Sequence, residues 1–317
     1  VQYEVQLERA AVKRSGLLNK ITKDYKKNYR LYLLVLPVIL FYLIFSYIPM
    51  YGVLMAFQNY SPGKGILGSK WIGLDNFQMF FQSAYFGRVL WNTLKISFYS
   101  LLFDFPAPII FALLLNELKW LKGKNIVQTI TYMPHFISIV VVCGMIKSFT
   151  MDTGVINYIV SFFGGTPATM LSDPSLFVPI YVISDIWQNV GWSSIIFIAA
   201  ISTIDPSFYE ASEMDGANRF HQIIHITIPS LIPTIVILLI LRLGSMLNVG
   251  FEKIILLYNP GIYSTSDVIS TFVFRRGLVE LNWGFSAAVG LFNSVINFIL
   301  VVGANYISRK TNENSLW

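Results

Sequence analysis

The sequence predicts an all-α integral membrane protein with six membrane-spanning helices, and three observations predict it. Of 317 residues, 55% are hydrophobic and only 13% are charged, against roughly 25% charged in an ordinary soluble domain. The mean hydropathy is +0.59. Six apolar runs are long enough to cross a bilayer, for which about 20 residues are needed. A soluble chain of this length would need far more polar surface to cover its core. The single cysteine, Cys143, lies in an apolar run, which excludes a disulfide framework and a cysteine metal site.

The expected spans are about 31–57, 90–115, 126–146, 176–204, 228–257 and 285–307. Pro37, Pro49, Pro106, Pro108, Pro179, Pro229 and Pro233 fall in them or at their ends. There they kink or start helices, which membrane helices tolerate when neighbours satisfy the freed carbonyls. Alternating spans put both termini and loops 2–3 and 4–5 on one side. That side carries 14 Lys and Arg residues against 5 in the opposite loops. Positive loops stay in the cytoplasm, so both termini and residues 205–229 are expected there. The net charge of +6 then reflects topology and does not indicate nucleic-acid binding.

Three regions follow: a basic cytoplasmic arm (1–30), the transmembrane body (31–307) and a cytoplasmic tail (308–317). The arm is too long, and the apolar run after it too extended, for a cleaved signal peptide. Anchoring to membrane lipid and contact with a partner both remain open for it.

Residues 205–229, DPSFYEASEMDGANRFHQIIHITIP, form a polar interruption between two apolar spans. Asp205-Pro206 is a helix start, because the carboxylate accepts from free N–H groups and Pro fits the first turn. Glu210 and Glu213 sit near the positive end of that helix. Asp215-Gly216 marks a turn. Helical spacing then resumes, with Phe220, Ile223 and Ile224 on one side. On these grounds alone the segment is a helix–turn–helix across the membrane surface, and a stiff interfacial connector would serve as well as a docking element.

Its residues also carry a resemblance. Glu210-Ala211-Ser212, then Gly216, then Ile226-Thr227-Ile228-Pro229 is similar to the EAA motif, EAA---G---------I-LP, of permease subunits of binding-protein-dependent ABC importers. Ser212 replaces the second Ala and Ile228 replaces Leu. Asp215-Gly216-Ala217 and the stretch MLNVGFEKIILLYNP (246–260) resemble the carbohydrate branch, closest to oligo- and polysaccharide permeases such as those of the alginate importer. The resemblance implies a type I importer permease in a bacterial inner membrane, with a coupling helix between helices 4 and 5. It implies these partners: a second homologous permease, two ATPase subunits and an extracytoplasmic solute-binding protein. ATP and Mg would be held by the ATPases, and this chain would have no cofactor and no enzymatic activity. The chain has no GK[ST] phosphate loop of its own. Glu210, Ala211, Ser212, Asp215, Gly216, Ala217 and Phe220 are then the coupling residues. An ion-coupled secondary transporter is the alternative, although it would favour inverted repeats that the sequence does not display.

Polar groups within spans are costly and call for reasons. Gln188 and Asn189 lie in the fourth span, Arg242 and Asn248 in the fifth, and Asn293 and Asn297 in the sixth, on a stripe with Ser286 and Gly290. These are the candidate pathway residues for a hydroxyl-rich substrate, although amide and hydroxyl side chains also serve as glue between membrane helices. In a continuous fifth helix Arg242 and Lys253, 11 residues apart, would share a face. Lys253 lies near the outer end and is expected to reach the interface. Arg242, Lys253, Arg275 and Arg276 would suit an anionic substrate if they faced one cavity; lipid phosphates would suit them too. His221 and His225 are four apart, but a third metal ligand is not apparent. A plain polar helix face is the favoured reading.

Overall fold

The computed structural model describes Asp24 and residues 26–311. Most of the basic arm and the last residues of the tail therefore lie outside the described residues. The part up to Leu54 and the part from Met55 onward form separate units. The first is essentially helix α1 (Lys26–Phe57), apolar around its circumference, as befits a helix surrounded by lipid or protein and not water.

The second unit begins with a short antiparallel ribbon, β1 (Gln58–Asn59) and β2 (Lys70–Trp71), in which Gln58 faces Trp71 and Asn59 faces Lys70. Helices α2 (Asp75–Gln82) and α3 (Phe86–Glu117) follow. Next come α4 (Leu121–Tyr132), α5 (Ile139–Phe162) and α6 (Phe177–Ser202). The remainder is α7 (Pro206–Met214), α8 (Arg219–Gly244), α9 (Phe251–Leu257), α10 (Ile269–Phe274) and α11 (Trp283–Thr311). Five of these helices, α1, α3, α5, α8 and α11, are long and apolar enough to cross a membrane. A sixth, α6, qualifies when taken with α7, from which it bends by 68°.

Proline shapes these helices in a consistent way. The π-turns Leu43–Tyr47, Ser100–Asp104 and Ile223–Thr227 each stop two residues before a proline: Pro49, Pro106 and Pro229. Proline cannot donate to the carbonyl four residues earlier, and its ring crowds that carbonyl. The carbonyls concerned belong to Phe45, Leu102 and His225, each in the middle of its π-turn. One extra residue in the turn relieves the crowding without ending the helix.

Two expected spans differ from the structure. The third does not run through 126–146, because Pro134 and the extended Ile137 break it into α4 and α5. A helix spanning the membrane starts only at Ile139. The fifth starts earlier, at Arg219, and stops at Gly244, leaving Ser245–Gly250 outside any helix before α9. Arg242 and Lys253 therefore do not share a helix face.

Three apolar clusters hold the second unit together. One joins α5, α6 and α9 through Val142, Phe177, Val182 and Ile254. Another joins α2, α3, α10 and α11 through Phe80, Val89, Phe272 and Phe285. The third joins α3, α6 and α8 through Ala112, Phe197, Ile201 and Leu231. Gly191 lets the backbones of α6 and α4 approach closely: a Cβ there would stand 2.3 Å from the Thr131 carbonyl oxygen of α4.

Candidate translocation cleft and coupling segment

Three helix faces converge on one cleft. On α6, Asp185, Asn189, Trp192 and Ile196 recur at helical spacing, and all of them line it. From α3 come Asp104 and Pro108, and from α8 Leu238, Leu241 and Arg242, with Ser245 just past its end. The cleft holds about 640 Å³. A second hollow of about 260 Å³ shares Asp185, Arg242 and Ser245 and adds Ser97, Ser100, Tyr181 and Asn248. Each helix thus turns a polar edge toward a common space while its other residues feed the apolar clusters.

The charges of this region are paired unequally. Lys253 is buried, and its ammonium lies 3.1 Å from Asp185 Oδ1 and 3.3 Å from the Tyr181 carbonyl. The same ammonium stands 5.0 Å from the centre of the Tyr181 ring. This position, deep between α6 and α9, corrects the expectation that Lys253 reaches the membrane interface. It cannot do so because Asp185 anchors it inside. A chain of contacts continues from there: Asn189 Nδ2 donates to Asp185 Oδ1 at 3.4 Å, and Asn189 Oδ1 lies 3.0 Å from His135 Nδ1. His135 in turn stacks on Trp192, centre to centre 4.7 Å and nearly coplanar at 4°. Arg242 is looser. Its side chain is 47% exposed, and its guanidinium approaches Asp104 only to 3.9 Å.

The four cations do not face a common cavity. Arg275 is held at 2.7 Å by Asp267, a fully buried carboxylate that also takes Arg88 at 3.3 Å and the Thr271 hydroxyl at 3.0 Å. Burial would lower the Arg275 pKa, but the Asp267 carboxylate outweighs it and holds the pKa above its usual value. Arg276 pairs with Glu280. Of the four, only Arg242 lines the cleft.

The other predicted pathway residues divide. Asn189 and Arg242 line the wider cleft, and Asn248 lines the hollow beside it. Asn293 donates to Asn248 Oδ1 at 2.7 Å and, with Ser286 and Gly290, edges a separate apolar groove between Phe251, Phe274 and Trp283. Asn297 is buried and accepts from the Leu247 amide at 3.1 Å, which pins the non-helical stretch after α8. Gln188 is buried away from the cleft face. Asp104, Asp185 and Trp192 were missed in the sequence, although two carboxylates inside apolar spans are the kind of signal that marks a membrane site.

In the 205–229 segment the local chemistry follows the sequence closely. Asp205 caps α7, accepting from the Ser207 amide at 2.9 Å, and that bond holds its carboxyl below the usual range. Gly216 ends the turn with φ +80, a conformation that costs an L side chain roughly 1–2 kcal/mol. Asn218 caps α8 through the His221 amide. Gln222 is buried and donates to Ser212 Oγ at 2.9 Å, while the hydroxyls of Tyr209 and Thr227 meet at 2.9 Å. Arg219 and Glu213 close the pair at 3.3 Å. The inner side of the turn is thus tied to itself. The outer side leaves Phe208 61%, Met214 89% and Phe220 67% exposed, next to Glu210 and Ala211. His221 and His225 stack their rings 5.9 Å apart on the exposed side of α8.

Comparison with known proteins matches residues 105–313 to the family described as binding-protein-dependent transport system inner membrane component. The chain is 46% identical to Protein LplB of Bacillus subtilis (strain 168), covering 92% of both chains. It is 42% identical to the polygalacturonan/rhamnogalacturonan transport system permease protein YteP of the same organism, covering 96% of this chain and 94% of that one. Among solved structures it is similar to a chain of a bacterial ABC transporter involved in the import of the acidic polysaccharide alginate. The identity is 45% and the TM-score 0.86, over 92% of this chain and 99% of that one. A chain of a bacterial alginate ABC transporter in complex with an alginate pentasaccharide-bound periplasmic protein matches at 44% identity and a TM-score of 0.86, over 93% of this chain and 99% of that one.

Proposed function

This chain belongs to the binding-protein-dependent transport system inner membrane components, the permeases of ABC importers, and from that premise we propose that it conducts uronic-acid-containing oligosaccharides into the cytoplasm. The observation that carries the substrate class is Arg242. It is the one cation of the four that lines the wider cleft, and its side chain is half exposed and its guanidinium only loosely paired. A guanidinium takes a carboxylate in two parallel hydrogen bonds. Asn189, Ser193 and Ser245 add amide and hydroxyl groups to the walls, and Trp192 adds an aromatic one. The named substrates of the similar proteins, polygalacturonan and alginate, support the same class.

The remaining parts follow from energy supply. The chain acts with separate ATPase subunits, a second permease and an extracytoplasmic binding protein, and both termini face the cytoplasm. The 205–229 segment seats in the ATPase: Phe208, Met214 and Phe220 offer apolar anchors, Glu210 a charge-assisted bond, and Ala211 and Ala217 close approach. Asp215 and Gly216 turn the chain, and Ser212 locks that turn to Gln222. When the ATPases close, the segment moves as one piece with α8, to which it is continuous, and rocks the cleft between inward and outward access.

The test is ATP-driven uptake by the assembled importer in proteoliposomes, comparing tri-galacturonate with maltotriose. Uptake should favour the uronide, and Arg242→Ala should remove that preference. Equal uptake of both sugars by the unaltered importer would contradict the assignment.

A further inference from the structure

Asp104 has no role in anything described so far, and its surroundings are unusual. It closes the π-turn Ser100–Asp104 that Pro106 imposes on α3, in the middle of a spanning helix. Its side chain is nine-tenths buried and lines the cleft. Neither carboxylate oxygen has a hydrogen-bond partner among the described residues. The hydroxyl of Ser100, one turn earlier, bears on the carboxylate without reaching normal hydrogen-bond geometry.

A carboxylate offers about four acceptor positions, and burying it unsatisfied is costly. Service to Arg242 alone does not account for it. A dedicated guanidinium–carboxylate pair closes to about 2.7–2.9 Å, whereas this one stands at 3.9 Å with the Arg242 side chain half exposed. The neighbouring Lys253–Asp185 pair, at 3.1 Å, shows that these helices can close an ion pair in the same region. Asp104 instead stands in the cleft wall with both oxygens covered and their acceptor positions unused.

What shares the cleft narrows the ligand. Trp192 is 44% exposed and has its indole plane set by the stacked His135. Arg242 stands beside the free carboxylate. A hydroxyl acceptor, an aromatic wall and a carboxylate donor together match the three chemistries of a uronic acid ring: hydroxyl rim, C–H face and carboxylate.

We propose that Asp104 is the hydroxyl acceptor of this cleft: as the cleft opens, its two unpartnered oxygens, covered in this structure, take hydrogen bonds from adjacent hydroxyls of a pyranose ring whose carboxylate lies on Arg242. The proposal rests on the reading that an oligouronide crosses this cleft. It adds orientation: the acceptor on α3 takes the ring's hydroxyls and the guanidinium of Arg242 takes its carboxylate.

The experiment compares initial uptake of tri-galacturonate with uptake of its 2,3-di-O-methyl derivative, in which the hydroxyl donors are blocked. Both are measured in proteoliposomes holding the full importer, with the binding protein saturated by each sugar. The ratio of the two rates is taken for the unaltered importer and for Asp104→Leu. Any preference of the binding protein is common to both and cancels. The unaltered importer should show a ratio at least about tenfold larger than Asp104→Leu, a difference of about 1.4 kcal/mol. Asp104→Asn, which keeps one acceptor oxygen, should fall between them and serves if the leucine variant does not assemble. An unchanged ratio in whichever variant assembles overturns the role of Asp104. Failure of the unaltered importer to take up tri-galacturonate at all overturns the oligouronide reading beneath it.

Discussion

Replacing Lys253 by Met tests whether the Lys253–Asp185 pair holds the wall of the cleft. The ammonium is buried to 4% exposure and contacts Asp185 at 3.1 Å, while Asp185 keeps 25% exposure. Removing one partner of a buried pair costs about 3–5 kcal/mol, because the other charge is left uncompensated. Here the loss should be smaller. Asp185 borders the water-accessible cleft and keeps its hydrogen bond from Asn189, so about 2–3 kcal/mol is expected. Met preserves the length and the packing against Tyr181, which isolates the charge. Adding Asp185→Asn removes the stranded carboxylate and should recover more than half of the loss. The assay is unfolding of the purified complex in detergent for the two single variants and the double variant, analysed as a double-mutant cycle. A single variant within about 0.5 kcal/mol of the parent, or a double variant as unstable as the sum of the singles, would refute the reasoning.

Other outcomes follow from single positions. Gly191→Leu should weaken assembly of the complex, because even a Cβ there would stand 2.3 Å from the Thr131 carbonyl; Gly191→Ala should show a milder drop in melting temperature. Gly216→Val should abolish binding-protein-stimulated ATPase activity and uptake while membrane insertion stays intact. Space is not the obstacle there, since a Cβ at this position would have nothing within 4 Å; the obstacle is the φ of +80. Asp205 has a folded-state pKa below its ordinary value, so its cap stabilises α7 at neutral pH and is lost as pH falls through that lowered value. Protection of the Ser207 amide against hydrogen exchange, corrected for the intrinsic pH dependence, should persist through the ordinary aspartate range and be lost only below it. In Asp205→Ala the same amide should exchange fast throughout.

The local structure of the 205–229 segment was readable in the sequence, because caps and turns are local chemistry: the Asp205 cap and the Gly216 turn act on near neighbours, while the Asn218 cap of α8 was not singled out. The fold class was readable for a related reason, since apolar runs of this length have few alternatives. The break at Ser245–Gly250 was not. It lies inside a run that stays apolar overall, and the bond that stabilises it comes from Asn297 on another helix. The place of Lys253 was hidden in the same way, because it depends on Asp185, 68 residues away. The cleft itself was half visible. The spacing of Asp185, Asn189 and Trp192 on one face is in the sequence, but attention to cations alone passes over the carboxylates that define the site.

The most direct measurement uses the fact that Cys143 is the single cysteine. With Cys143→Ala as the parent, Ser245→Cys places a thiol in the wall shared by the cleft and the hollow beside it. Labelling that thiol with a bulky methanethiosulfonate reagent should stop ATP-driven uptake of tri-galacturonate by the assembled importer, and tri-galacturonate presented during turnover should slow the labelling. Undiminished uptake after complete labelling would contradict the claim that substrate passes between α3, α6 and α8.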